Sequence, residues 1–305
     1  MKVAVTGATG TIGRAVVEAL LARGDEVAAL SRSAERAHSL LGERIDAHEW
    51  RDPKARAAPS QAFQDCDAVV HLLGEPIAQR WSEEAKREIR DSRVRGTRNL
   101  IAGLREAGPR LKTLVSQSAV GVYGFRGDEE LDESARAGDD FLASVVTEWE
   151  AEAARAEDEL GVRTVLCRTG VVLSSDGGAL EKMLPPFKLG VGGPVAGGGQ
   201  YVPWVHLDDV VGAMLHVLDD ERAHGPVNVC APRPVTNKEL SKALGHVLRR
   251  PAFAPVPAFA VKLLYGEMAE IVTTGQRVIP ARLRELGYQF RHPSLELALK
   301  DVLSA

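Results

Sequence analysis

Cysteine, charge of one sign and long apolar runs are all scarce in this chain, and each scarcity removes a class of function. Its three cysteines, Cys66, Cys167 and Cys230, are far apart and form no Cys-x-x-Cys pair. They read as small buried hydrophobes in a reducing compartment. The eight histidines include no His-Glu-x-x-His or similar spacing, so no metal site is expected. A formal net charge of −4 leaves no electrostatic footprint for nucleic acid. No run of 18 apolar residues exists, so no membrane span is expected. With a strand expected from Lys2, no room is left for a signal or transit peptide ahead of it, and a cytoplasmic protein is expected. What is present is bulk: 305 residues at 45% hydrophobic content can bury one large α/β domain, with or without a smaller appendage.

The most informative stretch is the first thirteen residues. Val3, Ala4 and Val5 suit a buried parallel strand, and Arg14 to Arg23 carry helical apolar periodicity. Between them Gly7, Gly10 and Gly13 space out a strand-to-helix turn, with Thr9, Thr11 and Ile12 among them. The first glycine permits the tight turn and the second lets backbone N–H groups approach a pyrophosphate. The third lets the helix pack close, so that its positive end faces the phosphates. A dinucleotide is the expected ligand.

The second strand, Glu26 to Leu30, selects between dinucleotides. An Asp or Glu at its end would bind a ribose 2′-hydroxyl, but here the chain continues Ser31-Arg32-Ser33, with Arg36 one helical turn later. A guanidinium fork can donate two hydrogen bonds to a 2′-phosphate. Ser31, Arg32, Ser33 and Arg36 therefore favour NADP(H), the alternative being an arginine pair that is merely solvated.

Further strands are expected at Arg44 to Trp50, Asp67 to Leu73, Leu111 to Ser116, Val162 to Arg168 and Gly225 to Cys230. Helices are expected from about Ser82 to Ala107 and from Phe141 to Leu160, which gives an α/β, doubly wound parallel Rossmann sheet. The rhythm breaks at Gly190 to Gly199, which lacks a Gly-Lys-Ser/Thr ending and is either a mobile lid or a turn-rich connection. From Pro232 the chain turns helical and proline-punctuated. The expected division is a cofactor-binding domain over 1–231, with 170–204 serving the substrate side, and a small C-terminal lobe over 232–305 above the carboxyl ends of the strands.

Thr6 to Gly13, His71-Leu-Leu-Gly74, Gly96-Thr-Arg-Asn-Leu100, Ser116 to Gly124 and Val205-His-Leu-Asp-Asp209 resemble the landmarks of extended short-chain dehydrogenase/reductases. Gly138 to Ala143 with Trp149-Glu150, Gly266 to Glu270, Gly275 to Pro280 and Leu286 to Phe290 narrow the resemblance to an atypical epimerase-like subfamily with its own C-terminal domain. The resemblance implies a Rossmann fold and a nicotinamide cofactor touched also by Leu72, Leu73, Gly74 and Arg168. It implies Ser118 as a hydrogen-bonding partner of substrate and Tyr123 as the tyrosine reaching the cleft, the two candidate catalytic residues.

The departure from that family is chemical. Its members use Tyr-x-x-x-Lys on one helix face, where lysine lowers the phenol pKa for proton transfer. The residues four after Tyr123, Tyr201, Tyr265 and Tyr288 are Gly127, Val205, Ala269 and His292, and alignment on Glu150 puts Leu142 and Val146 where the pair belongs. Arg93 stands where many relatives carry asparagine. Asp139 and Asp140 are either substitute acid/base groups or, the favoured reading, a helix cap. Lys182 and Lys188 either bind an anion or are solvated, and His206 beside Asp208 and Asp209 is taken as architectural. Two functions stay open: an NADP(H)-dependent oxidoreductase or epimerase-like enzyme of an unknown small-molecule substrate, or a non-catalytic NADP(H)-binding regulator or interaction module. Either would be a monomer or homodimer.

Overall fold

Short apolar runs that alternate between two dry faces build the centre of the molecule. In the computed structural model, which describes residues 1–106 and 110–304, they become β1 (Lys2–Thr6), β2 (Glu26–Ser31), β3 (Ile45–Glu49), β4 (Ala68–His71), β5 (Thr113–Ala119), β6 (Arg163–Thr169) and β7 (Gly225–Val229). These pair in parallel as one seven-stranded sheet in the order β3-β2-β1-β4-β5-β6-β7. Successive side chains go to opposite faces: Val3 and Val5 join one buried cluster, and Ala4 joins the other.

Helices cover both faces. α1 (Thr11–Ala22) and α2 (Ala34–Leu41) precede α3 (Glu83–Leu104), α4 (Phe141–Leu160), α5 (Gly178–Lys188) and α6 (Leu207–Asp219). α1 and α6 bury Val16, Leu20, Met214 and Val217 on one face, while α3 buries Leu100, Ile101 and Leu104 on the other beside Ala156 of α4. α4 has the expected limits because Asp140 accepts from Ala143 N at one end and Gly161, at φ 65°, closes the other. Asp140 is thus a cap. Ser82 caps α3, whose expected end at Ala107 lies outside the described residues. β5 runs on to Ala119, past its expected end at Ser116, because β6 pairs with it that far.

The C-terminal region adds α7 (Asn237–Leu248), α8 (Ala258–Tyr265), α9 (Ala269–Thr273), α10 (Ala281–Glu285) and α11 (Leu295–Ser304). It rests on loops at the carboxyl ends of β4 and β5: Arg80 donates to Leu263 O, and Gln276 donates to Gly124 O. Its last part returns to the sheet's own core, where Leu283, Leu286, Tyr288 and Phe290 pack with α6. Residues Gly190–Gly199 are stitched down rather than free, with Ala196 N donating to Val256 O and Lys238 N to Gly198 O. Among the described residues no helix is long and apolar enough to cross a membrane.

Candidate cofactor crevice and the polar network beside it

The chain leaves β1 for β2 on one side and later returns to β4 on the other, so a crevice opens between β1 and β4 at their carboxyl ends. Two glycines are sterically required there. Gly7 has φ +65°, and a Cβ on it would lie 2.7 Å from Leu72 O. A Cβ on Gly13 would lie 2.9 Å from Ala8 Cα and overlap Gly7 O. α1 starts without a side-chain cap and without an acid in its first turn, so its leading N–H groups and positive end remain available to an anion. Thr9, Gly10, Thr11 and Ile12 line this turn, and Leu72, Leu73 and Gly74 form the opposite lip. Arg14 is held by Asp176 from the loop before α5, and Thr11 Oγ1 donates to Asp176 O at 3.1 Å. Asp176 lies in the 170–204 stretch expected on the substrate side, although its contacts with α1 were not foreseen.

At the end of β2, Ser33 accepts from Arg36 N at 3.2 Å and so starts α2. Arg32 and Arg36 are exposed, and neither has an ion pair among the described residues. Ser31 lies opposite Glu49 of β3. That carboxylate is tied to Arg51 at 2.8 Å, an ion pair that sequence reasoning missed.

The expected catalytic residues fall into a different arrangement. Ser118 of β5, Arg168 of β6 and Asn228 of β7 lie side by side in register. α4 brings Glu150 onto them. Ser118 Oγ donates to Glu150 Oε1 at 2.5 Å, and Arg168 Nε and Nη2 donate to the two carboxylate oxygens at 2.8 Å each. Arg168 Nη1 donates to Tyr123 OH at 3.0 Å, and Tyr123 OH donates to Asn228 Oδ1 at 2.6 Å. Asn228 N donates onward to Glu133 Oε1, which also accepts from Arg282 N.

Two of the expected site residues lie in this network. Arg168, expected to touch the cofactor, is held by Glu150 in a buried two-point ion pair. Burial opposes its charge, and Glu150 more than offsets this, leaving the guanidinium above its ordinary pKa. Tyr123 does not reach an open cleft but is fully buried. Burial pushes its phenol up to about 12 against the charge of Arg168, the opposite of the lowering a base requires. Ser118 is likewise buried, its hydroxyl committed to Glu150. Glu150, Asn228 and Glu133 were not foreseen as partners, although Glu150 stands one helical turn after Val146.

Val146 is 3% exposed and packs with Val120, Val122 and Tyr123, and Leu142 is half-buried against Gly121. Leu142→Tyr with Val146→Lys should therefore cost about 1–3 kcal/mol by placing polar groups in an apolar layer without partners. Urea denaturation measures the cost, and a double variant as stable as the wild type would contradict this account of the helix face.

Lys182 donates to Ala78 O, and Lys188 is exposed. His206 caps α6, its Nδ1 accepting from Asp208 N at 3.0 Å, and its ring stacks on His292 at 3.7 Å. His206, His292 and Asp301 are close enough to share a metal ion. With Nδ1 an acceptor, however, the neutral ring keeps its proton on Nε2, which faces Asp301 at 3.3 Å. Nε2 makes no hydrogen bond among the described residues, and a metal there would need its lone pair free and so would break the Nδ1 cap.

Residues 3–230 match the NAD dependent epimerase/dehydratase family, and residues 256–302 match a domain of unknown function, DUF1731. The chain is 39% identical to the chloroplastic epimerase family protein SDR39U1 homolog of Arabidopsis thaliana, over 99% of this chain and 87% of that protein. The crystal structure of human epimerase family protein SDR39U1 (isoform 2) with NADPH superposes with a TM-score of 0.88 at 38% identity, covering 100% of this chain and 99% of that one. A nucleoside-diphosphate sugar epimerase from Corynebacterium glutamicum follows at a TM-score of 0.78 and 34% identity, covering 99% of this chain and 58% of that one.

Proposed function

The chain belongs to the NAD dependent epimerase/dehydratase family, and on that premise we propose that it binds NADP(H) between β1 and β4 as an epimerase-like short-chain dehydrogenase/reductase, working as an oxidoreductase or epimerase of a small molecule. One observation carries the reading: an uncapped α1 N-terminus shares the crevice edge with two exposed arginines, Arg32 and Arg36, that have no ion pair among the described residues. The human relative solved with NADPH supports it. In this reading the Gly7–Gly13 turn holds the pyrophosphate, Ser31, Arg32, Ser33 and Arg36 hold the 2′-phosphate, and Leu72–Gly74 close the other side. Bound NADPH would supply the hydride. The chain's own part is to hold cofactor and substrate together and to exclude water under the 232–305 lobe. Ser118 and Tyr123, their hydroxyls committed to Glu150 and Asn228, support the wall of the site rather than move the proton.

Each charge-assisted contact to a 2′-phosphate contributes about 1.5–3 kcal/mol, so NADPH should bind at least about tenfold more tightly than NADH. Calorimetric titration tests this. Arg32→Ala should weaken NADPH and leave NADH unchanged. Equal affinities in the wild type, or no loss in Arg32→Ala, would sink the assignment.

A second reading, a cofactor-binding regulator without turnover, draws on the same network. Ser118, Tyr123 and Arg168 are all satisfied by protein partners, and the Tyr123 phenol is raised to about 12. NADPH consumption across small carbonyl compounds and quinones separates the two. Tight NADPH binding with no consumption of any of them favours the regulator.

A further inference from the structure

Arg93 has more hydrogen-bonding capacity than the protein uses. This half-buried residue of α3 donates from Nη1 to Ile89 O at 3.0 Å, and no other partner is recorded for its five donors among the described residues. Two other partly or fully buried arginines, Arg163 and Arg168, contrast with it. Arg163 reaches Val217 O, Leu218 O, Ala223 O and Thr113 Oγ1, and Arg168 has Glu150 and Tyr123. The carboxylate of Glu75 favours the Arg93 charge from a distance but forms no ion pair with it. Burial pulls the guanidinium down to about 10, so it is charged at neutral pH. A charge so placed, without a counterion, is costly unless a ligand completes it.

Its position points to which ligand. Gly7 abuts Leu72 and Leu73, and Gly74 continues that lip to Arg93, so the guanidinium lies along the same crevice, beyond the phosphate-binding turn. A Cβ on Gly74 would sit 3.1 Å from Arg93 Cζ, 3.2 Å from Nη2 and 3.4 Å from Nε. With Cζ the nearest of the three atoms, Gly74 lies over one face of the guanidinium, and the unpartnered Nε/Nη2 edge is not among the enclosed polar atoms. The other side of the guanidinium covers the ring of Trp149 at 5.3 Å. Trp149 is 3% exposed, and its buried Nε1 has no hydrogen-bond partner among the described residues.

We propose that Arg93 is a substrate-positioning residue, its unpartnered Nε/Nη2 edge holding a carboxylate or phosphate oxyanion of the small molecule. A planar fork of two parallel N–H groups matches either oxyanion in two-point fashion. The substrate class is therefore anionic. This rests on the cofactor reading above, and the test is built to separate the two.

Calorimetry on the NADP⁺-saturated protein, titrated with oxamate and separately with inorganic phosphate, distinguishes the two anion sources. Oxamide serves as the neutral control. At least one anion should bind and oxamide should not. Arg93→Met should weaken that binding about tenfold or more, Arg93→Lys should recover part of it, and NADP⁺ affinity should move by less than about threefold. A large loss of NADP⁺ affinity in Arg93→Met would assign the guanidinium to the cofactor and overturn the proposal. So would wild-type protein that binds neither anion, or anion binding unchanged in Arg93→Met. A chain that fails to take NADP⁺ at all overturns the cofactor reading before any anion is added, and repeating the titrations without cofactor then still tests Arg93. Urea midpoints of both variants check that they fold.

Discussion

Glu150→Gln should unfold at a much lower urea concentration than the wild type, with a loss of about 3–5 kcal/mol. The carboxylate it removes is the only counterion recorded for the buried Arg168 guanidinium among the described residues, held through two hydrogen bonds of 2.8 Å. Removal of one partner leaves a charge in a region where water cannot replace it. Glu150→Leu with Arg168→Met should regain much of the loss, because an apolar pair of similar volume carries no stranded charge. The coupling energy between the two sites should come out at about 3 kcal/mol or more in a double-mutant cycle, since either single change strands a buried charge. The folded double variant should keep NADPH affinity within about threefold, since the network stands beside the phosphate turn and not in it. Equal stability of Glu150→Gln and wild type would remove the structural account. Full stability with turnover abolished would return the network to catalysis.

The parts of this molecule that were legible in the sequence are those decided within a few residues. Gly13 is required by contacts to Gly7 and Ala8 within the turn, and Gly7 by its φ of +65°, so their spacing alone identified the crevice. The limits of α4 follow from Asp140 and Gly161, each acting on its own helix end. The Ser118–Arg168–Asn228 row could not be read that way. It depends on the register of three strands and on a helix that delivers Glu150 from the opposite layer. Resemblance alone implies Arg168 as a cofactor contact, and its pairing with Glu150 depends on that helix. Tyr123 looked like a cleft residue because of its turn, yet the short 3₁₀ segment Val120–Tyr123 turns it into the cluster with Val146 and Leu131. Arg93 was visible as a departure from the family, whereas its unused donors depend on what α4 and the Gly74 lip fail to offer it.

Acid should destabilise this protein in part through one buried histidine, between pH 6.5 and 3. His71 ends β4 and is wholly buried, its Nδ1 2.7 Å from Thr6 Oγ1 and its Nε2 2.9 Å from Thr97 Oγ1. With the proton on Nε2 both contacts are satisfied: Thr6 Oγ1 donates to Nδ1, and the ring donates to Thr97. Burial alone pulls its pKa from 6.5 to about 3. The folded chain therefore keeps this ring neutral while the unfolded chain takes up a proton below about 6.5, so protonation favours unfolding. The stabilising contribution is complete above pH 6.5 and is lost as pH falls toward 3. At about 1.4 kcal/mol per pH unit, the loss reaches about 2 kcal/mol by pH 5 and about 5 kcal/mol over the whole interval. His71→Gln should be less stable than the wild type at pH 7, by about 1–3 kcal/mol for the imperfectly replaced bonds, but its stability should fall less steeply with acid. His206, lowered chiefly by burial, titrates in the same direction in both proteins and cancels in the comparison. Because Leu72 N donates to the same Thr6 hydroxyl at 3.2 Å, the lip of the crevice should loosen with this clamp, and NADPH affinity should weaken over the same pH range. Urea denaturation of both proteins at pH 7, 6 and 5 decides it. Parallel pH profiles would show that the ring titrates alike in the folded and unfolded chains, and that the clamp under the crevice is not where acid acts.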